Sequence, residues 1–204
     1  MSSNIGEVVA IFAAVLIGGP LVFLPAHLLW INLVTDGLTS LALGVEPAER
    51  DVMKRPPRVP TAPMLDRAGL LVTLVQGAFI GLATLALFHI WLARGSSVEH
   101  ARSIAFSGIV VGELINAWNY RSLRGLLASV GLFSNRWFAL AWIASFALQI
   151  AAIHLPFLQV AFHTEAPEIG EWATVFGVFL AVLLATELYK RRIRDLDRGT
   201  EPRM

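Results

Sequence analysis

Polar side chains that carry oxygen atoms recur at helical spacing inside three otherwise apolar stretches of the sequence. The three sets are Asn4 with Glu7, Asn32 with Thr35 and Asp36, and Glu113 with Asn116 and Asn119. Residues three or four positions apart lie on one face of a helix, so each set is expected to form a short polar stripe. Carboxylate, amide and hydroxyl oxygens are the ligands that hard cations such as Ca²⁺ prefer. The pattern therefore predicts a cation site at which stripes from three helices converge.

The apolar surroundings make the carboxylates of these stripes unusual. All 16 lysines and arginines lie outside the apolar stretches, so no basic side chain within them neutralises Glu7, Asp36 or Glu113. A charge near the centre of a bilayer costs at least about 2.5 kcal/mol, and such residues are usually functional. We favour neutralisation by bound cations or protons. The alternatives are that the Asn and Thr side chains bond neighbouring helices, and that a membrane Glu is a protonated packing residue.

Gly37 directly follows the carboxylate of the second stripe. Glycine tolerates backbone conformations that other residues avoid. A glycine at this place permits local unwinding of the helix, which would free backbone carbonyl oxygens as further cation ligands.

The composition indicates a membrane protein that crosses the bilayer several times. Of the 204 residues, 56% are hydrophobic and only 15% are charged, whereas soluble domains average about 25% charged residues. The absence of cysteine from the sequence excludes a disulfide framework and a thiolate metal site. No feature points to nucleic acid as a partner.

Six apolar stretches are each close to the roughly 20 residues that a helix needs to cross the hydrocarbon core. They cover residues 5–24, 26–45, 68–93, 103–120, 137–155 and 172–189. Backbone groups in lipid must be bonded within their own segment, so helices are expected throughout. The first two stretches could form one kinked helix or a re-entrant hairpin, but their combined length favours two crossings. The predicted fold class is all-α, a bundle of six transmembrane helices.

The basic residues predict the orientation of this bundle. Fourteen of the 16 fall in the loop 46–67, the loop 121–136 or the tail 190–204, and the other two fall in the loop 94–102. Positively charged loops stay on the cytoplasmic side. Both termini and the proline-rich loop 46–67 are therefore expected in the cytoplasm, with the basic tail against lipid headgroups. We expect the chain in a bacterial cell (inner) membrane.

Three motifs resemble P-type cation-transporting ATPases of the calcium-pump (type IIA) subfamily. "SSNIGEVV" and "WINLVTDG" are similar to the fifth and sixth transmembrane helices of that family, and "GELINAWNYRS" is similar to the eighth. The other stretches fit the seventh, ninth and tenth helices in length and order. Where the family commonly has Pro two residues after its Asp-Gly pair, this chain has Thr39.

The resemblance implies a transported ion and a ligand set. The ion is Ca²⁺, with Mn²⁺ or another cation possible. The implied ligands are Asn4 and Glu7 from the fifth-type helix, Asn32, Thr35 and Asp36 from the sixth, and Glu113 from the eighth.

The resemblance also implies parts that this chain lacks. The sequence contains no Asp-Lys-Thr-Gly-Thr phosphorylation motif, no Thr-Gly-Glu loop and no nucleotide-binding domain. We therefore expect no ATP site and no catalytic activity in the chain alone. The implied partner is the N-terminal portion of a P-type ATPase, with the ATP-hydrolysing domains and the first four helices. A fragment, a split-gene product or a mis-called start codon would each explain this. The alternatives are a stand-alone non-catalytic cation-binding or partner subunit, and a passive cation carrier.

Overall fold

The computed structural model describes residues 1–48, 53, 67–122, 131 and 134–200, and the regular elements in these ranges are helices. They are α1 (Ser2–Ile17), α2 (Pro25–Trp30), a π-helical segment (Ile31–Asp36), α3 (Gly37–Leu43), α4 (Arg67–Ala93), α5 (Val98–Asn119), α6 (Arg136–His154), α7 (Pro156–Phe162) and α8 (Ile169–Thr200). The prediction of an all-α fold is confirmed for this part of the chain. Most of the predicted loops 46–67 and 121–136, and the last four residues of the tail, lie outside it.

Within the part of the chain that the structure describes, three helices are long and apolar enough to cross a membrane. The qualifying stretches are Gly69–Ala93 in α4, Arg136–His154 in α6 and Ile169–Thr186 in α8. The outward surface of the bundle is apolar as well, with Phe12 and Leu71 both about 60% exposed (64% and 59%). Soluble proteins rarely expose apolar surface on this scale, whereas a lipid-facing surface requires it. These features identify an integral membrane protein, and the count of six crossings stays a prediction.

The first predicted stretch, residues 5–24, ends earlier in the structure than in the sequence-based prediction. Helix α1 stops at Ile17, because Gly18 adopts a φ of 71°, in the left-handed region that glycine tolerates. The chain resumes helix at Pro25, whose ring suits the first helical turn. Residues 18–24 are apolar without being helical, and α1 and α2 are separate helices.

Helix α5 forms the centre of the bundle. From Ala101 to Ala117 every residue is buried, against α4, α8 and α6. Small residues on α5 allow α8 to approach it closely, since a Cβ atom on Gly112 would lie 2.6 Å from the ring of Phe179 on α8. This burial places the polar residues of α5 in the protein interior and away from lipid.

The backbones of α1 and α4 touch through glycines. A Cβ atom on Gly77 would lie 2.5 Å from the carbonyl oxygen of Ser2, and one on Gly81 would overlap the carbonyl oxygen of Gly6. Neither obstacle is the end of a flexible side chain, so neither can move aside cheaply. This contact fixes the height of α1, and thus of Glu7, against α4.

Replacing Gly81 with Ala is therefore expected to lower the free energy of unfolding of the purified chain by about 1–3 kcal/mol, the usual cost of overpacking. The matched control is Gly177→Ala on α8, where an added Cβ meets nothing within 4 Å. That change should leave stability unchanged or raise it, because Ala favours helix by about 1 kcal/mol over Gly. Thermal unfolding followed by tryptophan fluorescence in detergent measures both. Equal melting temperatures for the two variants would contradict the proposed backbone contact.

An ion pair joins the end of α3 to the connection between α5 and α6. The guanidinium of Arg121 lies 2.7 Å from a carboxylate oxygen of Glu46. The amide of Asn135 donates to the other oxygen of Glu46, at 2.7 Å, and to the carbonyl oxygen of Ala42, at 2.9 Å. Since buried charges are stable only when they are paired and hydrogen-bonded, this group holds α3, α5 and α6 in a fixed relation.

Candidate intramembrane cation site

Glu7 and Asn32 join α1 to the π-helical segment. The Asn32 side-chain nitrogen donates to both carboxylate oxygens of Glu7, at 3.0 and 2.9 Å, and to the carbonyl oxygen of Leu28 at 2.9 Å. Glu7 is buried, with 7% of its surface exposed. Asn4, one helical turn before Glu7, is exposed in the structure. The structure therefore brings Glu7 and Asn32 together and leaves Asn4 at the edge of this group.

All three polar residues of the second stripe lie in the π-helical segment itself. This segment ends at Asp36, and Gly37 continues as right-handed helix with φ −59° and ψ −53°. The unwinding that Gly37 permits is thus absent from the described structure, and a widened turn takes its place. Thr39 explains part of why the helix widens here and does not unwind. Unlike proline it keeps a backbone N–H, and its hydroxyl donates to the Thr35 carbonyl oxygen at 2.8 Å. Single π turns inside α-helices are rare and are frequently found at functional sites.

Glu113 is the most unusual side chain of the site. It lies in the buried part of α5 with 4% of its surface exposed, and neither carboxylate oxygen has a hydrogen-bond partner among the described residues. The hydroxyl of Thr35, whose residue is 1% exposed, also lacks a partner there. Buried polar atoms are nearly always bonded in native proteins, so each exception calls for an explanation. These three oxygen atoms have free capacity to bind a cation.

The three carboxyl groups act on one another electrostatically. Glu113 interacts with both Asp36 and Glu7, and Glu7 interacts with Asp36. Because like charges repel, a cation placed between them would be stabilised by all three.

The described carboxylates do not form a finished metal cage. Within the described residues, no three His, Cys, Asp or Glu side chains lie close enough to hold a metal ion. A Ca²⁺ ion takes six to eight oxygen ligands, about half of which can be amide, hydroxyl, backbone or water oxygens. The arrangement is thus a set of oxygen donors on three neighbouring helical segments that further donors would complete.

Asn116 and Asn119 connect helices in this structure. The Asn116 amide donates to the hydroxyl of Ser2 at 3.2 Å, and the Asn119 amide donates to the carbonyl oxygen of the Asn116 side chain at 2.9 Å. The bond to Ser2 joins α5 to the start of α1. This agrees with the alternative reading of membrane asparagines as interhelical hydrogen-bonding residues.

Sequence reasoning missed the polar residues of α6 that contact the site. Ser145 bonds to the carbonyl oxygen of Val34, and Trp142 bonds to that of Leu114. The only signal in the sequence is the spacing of Ser145 and Gln149, four residues apart in an apolar helix. That spacing marks a polar face without showing what the face contacts.

Comparison with known proteins gives a consistent set of relatives. Residues 20–192 match the family described as "Cation transporting ATPase, C-terminus". The chain is 36% identical over 195 residues to a calcium-transporting ATPase of Bacillus subtilis, and the alignment covers 94% of this chain and 22% of that protein. It is 35% identical over 198 residues to the probable cation-transporting ATPase F of Mycobacterium tuberculosis, with 95% and 22% covered. It is 29% identical over 245 residues to the endoplasmic reticulum-type calcium-transporting ATPase 4 of Arabidopsis thaliana, with 93% and 23% covered. The chain spans about 22% of the length of these curated relatives.

Proposed function

The chain belongs to the family of cation-transporting ATPases, whose C-terminal region it matches, and we propose that it forms the membrane transport part of an ATP-driven pump. The transported substrate in this proposal is Ca²⁺, since relatives in Bacillus subtilis and Arabidopsis thaliana are named calcium-transporting. Mn²⁺ and other cations that accept oxygen ligands are the competing substrates.

The observation that carries the proposal is the buried carboxylate of Glu113. Its two oxygens lack partners among the described residues, and it interacts with the carboxylates of Glu7 and Asp36 on two other segments. An isolated buried carboxylate is costly, and the fold tolerates this cost in a helix that packs against the two segments that carry Glu7 and Asp36. The proposed oxygen ligands of the cation are Asn4, Glu7, Asn32, Thr35, Asp36 and Glu113.

Release of the cation requires a replacement charge. Glu7 is 7% exposed and Glu113 is 4% exposed, so bulk water cannot solvate the negative charge of either carboxylate after the cation leaves. Protons are the available replacement, because protonation removes the charge that is unfavourable in the membrane. The proposed pump therefore exchanges protons for its cation.

The rest of the machine is proposed from the relatives. The N-terminal portion of a P-type ATPase would supply ATP hydrolysis, the first four helices and the remaining ligands. Six crossings, with both termini and the basic tail on the cytoplasmic side of a bacterial inner membrane, complete the proposed topology.

Transport in vesicles tests this function. The chain is co-expressed with the N-terminal portion of the Bacillus subtilis calcium-transporting ATPase, and ATP-dependent ⁴⁵Ca²⁺ uptake is measured in inverted membrane vesicles. Uptake is expected only when both parts are present, with each part alone as the control. Lack of uptake with both parts inserted in the membrane would contradict the proposal. Release of ⁴⁵Ca²⁺ from liposomes that contain only this chain would instead identify a passive carrier.

A further inference from the structure

Helix α6 contributes none of the proposed ligands, yet it bonds to the backbone beside two of them. We propose that Ser145 and Trp142 of α6 position the ligands on the π-helical segment and on α5, and thereby set the cation affinity of the site. The inference rests on the proposed function for its link to affinity, and on geometry alone for the positioning.

Ser145 bonds to the π-helical segment. It is fully buried, and its hydroxyl lies 3.2 Å from the carbonyl oxygen of Val34, the residue before Thr35. A change from α-helical to π-helical bonding shifts the partners of the backbone groups at that turn. The two consecutive carbonyl oxygens of Val34 and Thr35 each accept a bond from a side-chain hydroxyl, from Ser145 and Thr39 respectively. These bonds stabilise the widened turn on which Asn32, Thr35 and Asp36 lie.

Trp142 bonds to α5, the helix that carries Glu113. Its indole N–H donates to the carbonyl oxygen of Leu114 at 2.9 Å, directly after Glu113 in the sequence. Trp142 and Ser145 are three residues apart, so they lie on one face of α6. This face therefore determines the separation between Thr35 on one element and Glu113 on the other.

Two further bonds hold α6 in register with the π-helical segment. The indole N–H of Trp30, the residue before that segment, donates to the side-chain oxygen of Gln149 at 3.0 Å. On the other side, Asn135 at the start of α6 donates to the carbonyl oxygen of Ala42 at 2.9 Å. Helix α6 and its N-cap residue thus bond to the residue before the segment, to Val34 within the segment and to α3 beyond it. Relaxation into an α-helix would shift its residues by one position, which is a rotation of about 100° around the helix axis.

The first test measures transport by the two-part pump described above. Ser145→Ala and Trp142→Phe each remove one hydrogen bond and retain most of the side-chain volume. Each is expected to raise the Ca²⁺ concentration for half-maximal uptake by about 3- to 10-fold, the usual range for one buried hydrogen bond, with the maximal rate unchanged. Ser145→Thr, which keeps the hydroxyl, should restore the wild-type value.

Matched controls separate positioning from general packing. Ser107→Ala removes a buried hydroxyl of α5 that has no partner among the described residues, and Trp137→Phe alters a tryptophan of α6 that is 68% exposed. Both should leave the half-maximal concentration unchanged. A purely structural role of Ser145 would lower the maximal rate of Ser145→Ala and leave the Ca²⁺ concentration for half-maximal uptake unchanged. That result would overturn the inference.

The second test does not depend on transport. The chain contains no cysteine, so Leu29→Cys and Leu41→Cys provide unique spin-label sites on either side of the π-helical segment. Both leucines are exposed, at 67% and 76%. The distance between the two labels is measured in the purified chain by pulsed electron paramagnetic resonance. Combining Ser145→Ala with Trp142→Phe should change this distance by at least about 3 Å, because the widened turn relaxes. An unchanged distance would overturn the inference, whereas loss of uptake by the unmodified pump bears on the proposed function alone.

Discussion

Replacing Glu113 with Met is expected to raise the stability of the purified chain and to abolish cation uptake by the two-part pump. The carboxylate is 4% exposed, and both of its oxygens lack hydrogen-bond partners among the described residues. Leaving a buried polar group without partners costs about 1–3 kcal/mol, and more when the group is charged. Methionine has a similar length and adapts to irregular space in a protein core. We therefore expect stability to increase by about 1–3 kcal/mol, measured as a rise in melting temperature by tryptophan fluorescence.

The opposite signs of the two effects make this prediction specific. A residue that serves the fold loses stability on such a change, whereas a ligand kept for function at the expense of stability gains it. Gln76→Met on α4 is the control, because Gln76 is equally buried but bonds to both Thr186 and Tyr120. That variant should melt at a lower temperature than the wild type. A Glu113→Met variant that is less stable than the wild type would show that the carboxylate serves packing.

Replacing Asp36 with Asn is expected to raise the Ca²⁺ concentration for half-maximal uptake by about 100-fold or more. The reason is that the affinity of calcium sites varies by orders of magnitude with the number of charged ligands. The change removes one negative charge and almost no volume. Asp36 is the last residue of the π-helical segment, and it interacts with the carboxylates of both Glu7 and Glu113. Melting temperature should stay close to that of the wild type, since shape and packing are retained.

Ser40→Ala is the control for this effect. Ser40 lies one turn further along α3 and is exposed. Its replacement should leave uptake unchanged at all Ca²⁺ concentrations. Wild-type affinity in Asp36→Asn would exclude Asp36 from the cation site.

The sequence alone predicted where the ligand candidates lie along the chain, because the spacing of polar residues by three and four is a local property. It placed Asn32, Thr35 and Asp36 on one helical segment, and Glu113 on another. The π-helical form of the first segment could not be predicted in this way. Over six residues the repeats of an α-helix and a π-helix differ too little to be distinguished by residue type. The widened turn is stabilised instead by Ser145, which is 111 residues away from Val34 in the sequence.

The end of α1 shows a second limit of sequence reasoning. Residues 17–24 are apolar except for Gly18, Gly19 and Pro20, so hydropathy alone predicts helix throughout the stretch 5–24. The backbone at Gly18 leaves the helical region, and the following residues are apolar without forming helix. The Gly-Gly-Pro sequence was the available signal, because glycine and proline end helices by different and additive mechanisms.

Carbodiimide labelling tests the central claim most directly, since dicyclohexylcarbodiimide modifies protonated carboxyl groups in apolar surroundings. In the two-part pump, mass spectrometry should find the label on Glu7 and Glu113 without Ca²⁺. Added Ca²⁺ should prevent this labelling at the concentration that half-saturates uptake, and Asp36→Asn should remove the protection. Glu46, which is paired with Arg121, provides the internal control and should not respond to Ca²⁺. Equal labelling of Glu7 and Glu113 with and without Ca²⁺ would contradict the claim that these carboxylates bind the transported cation.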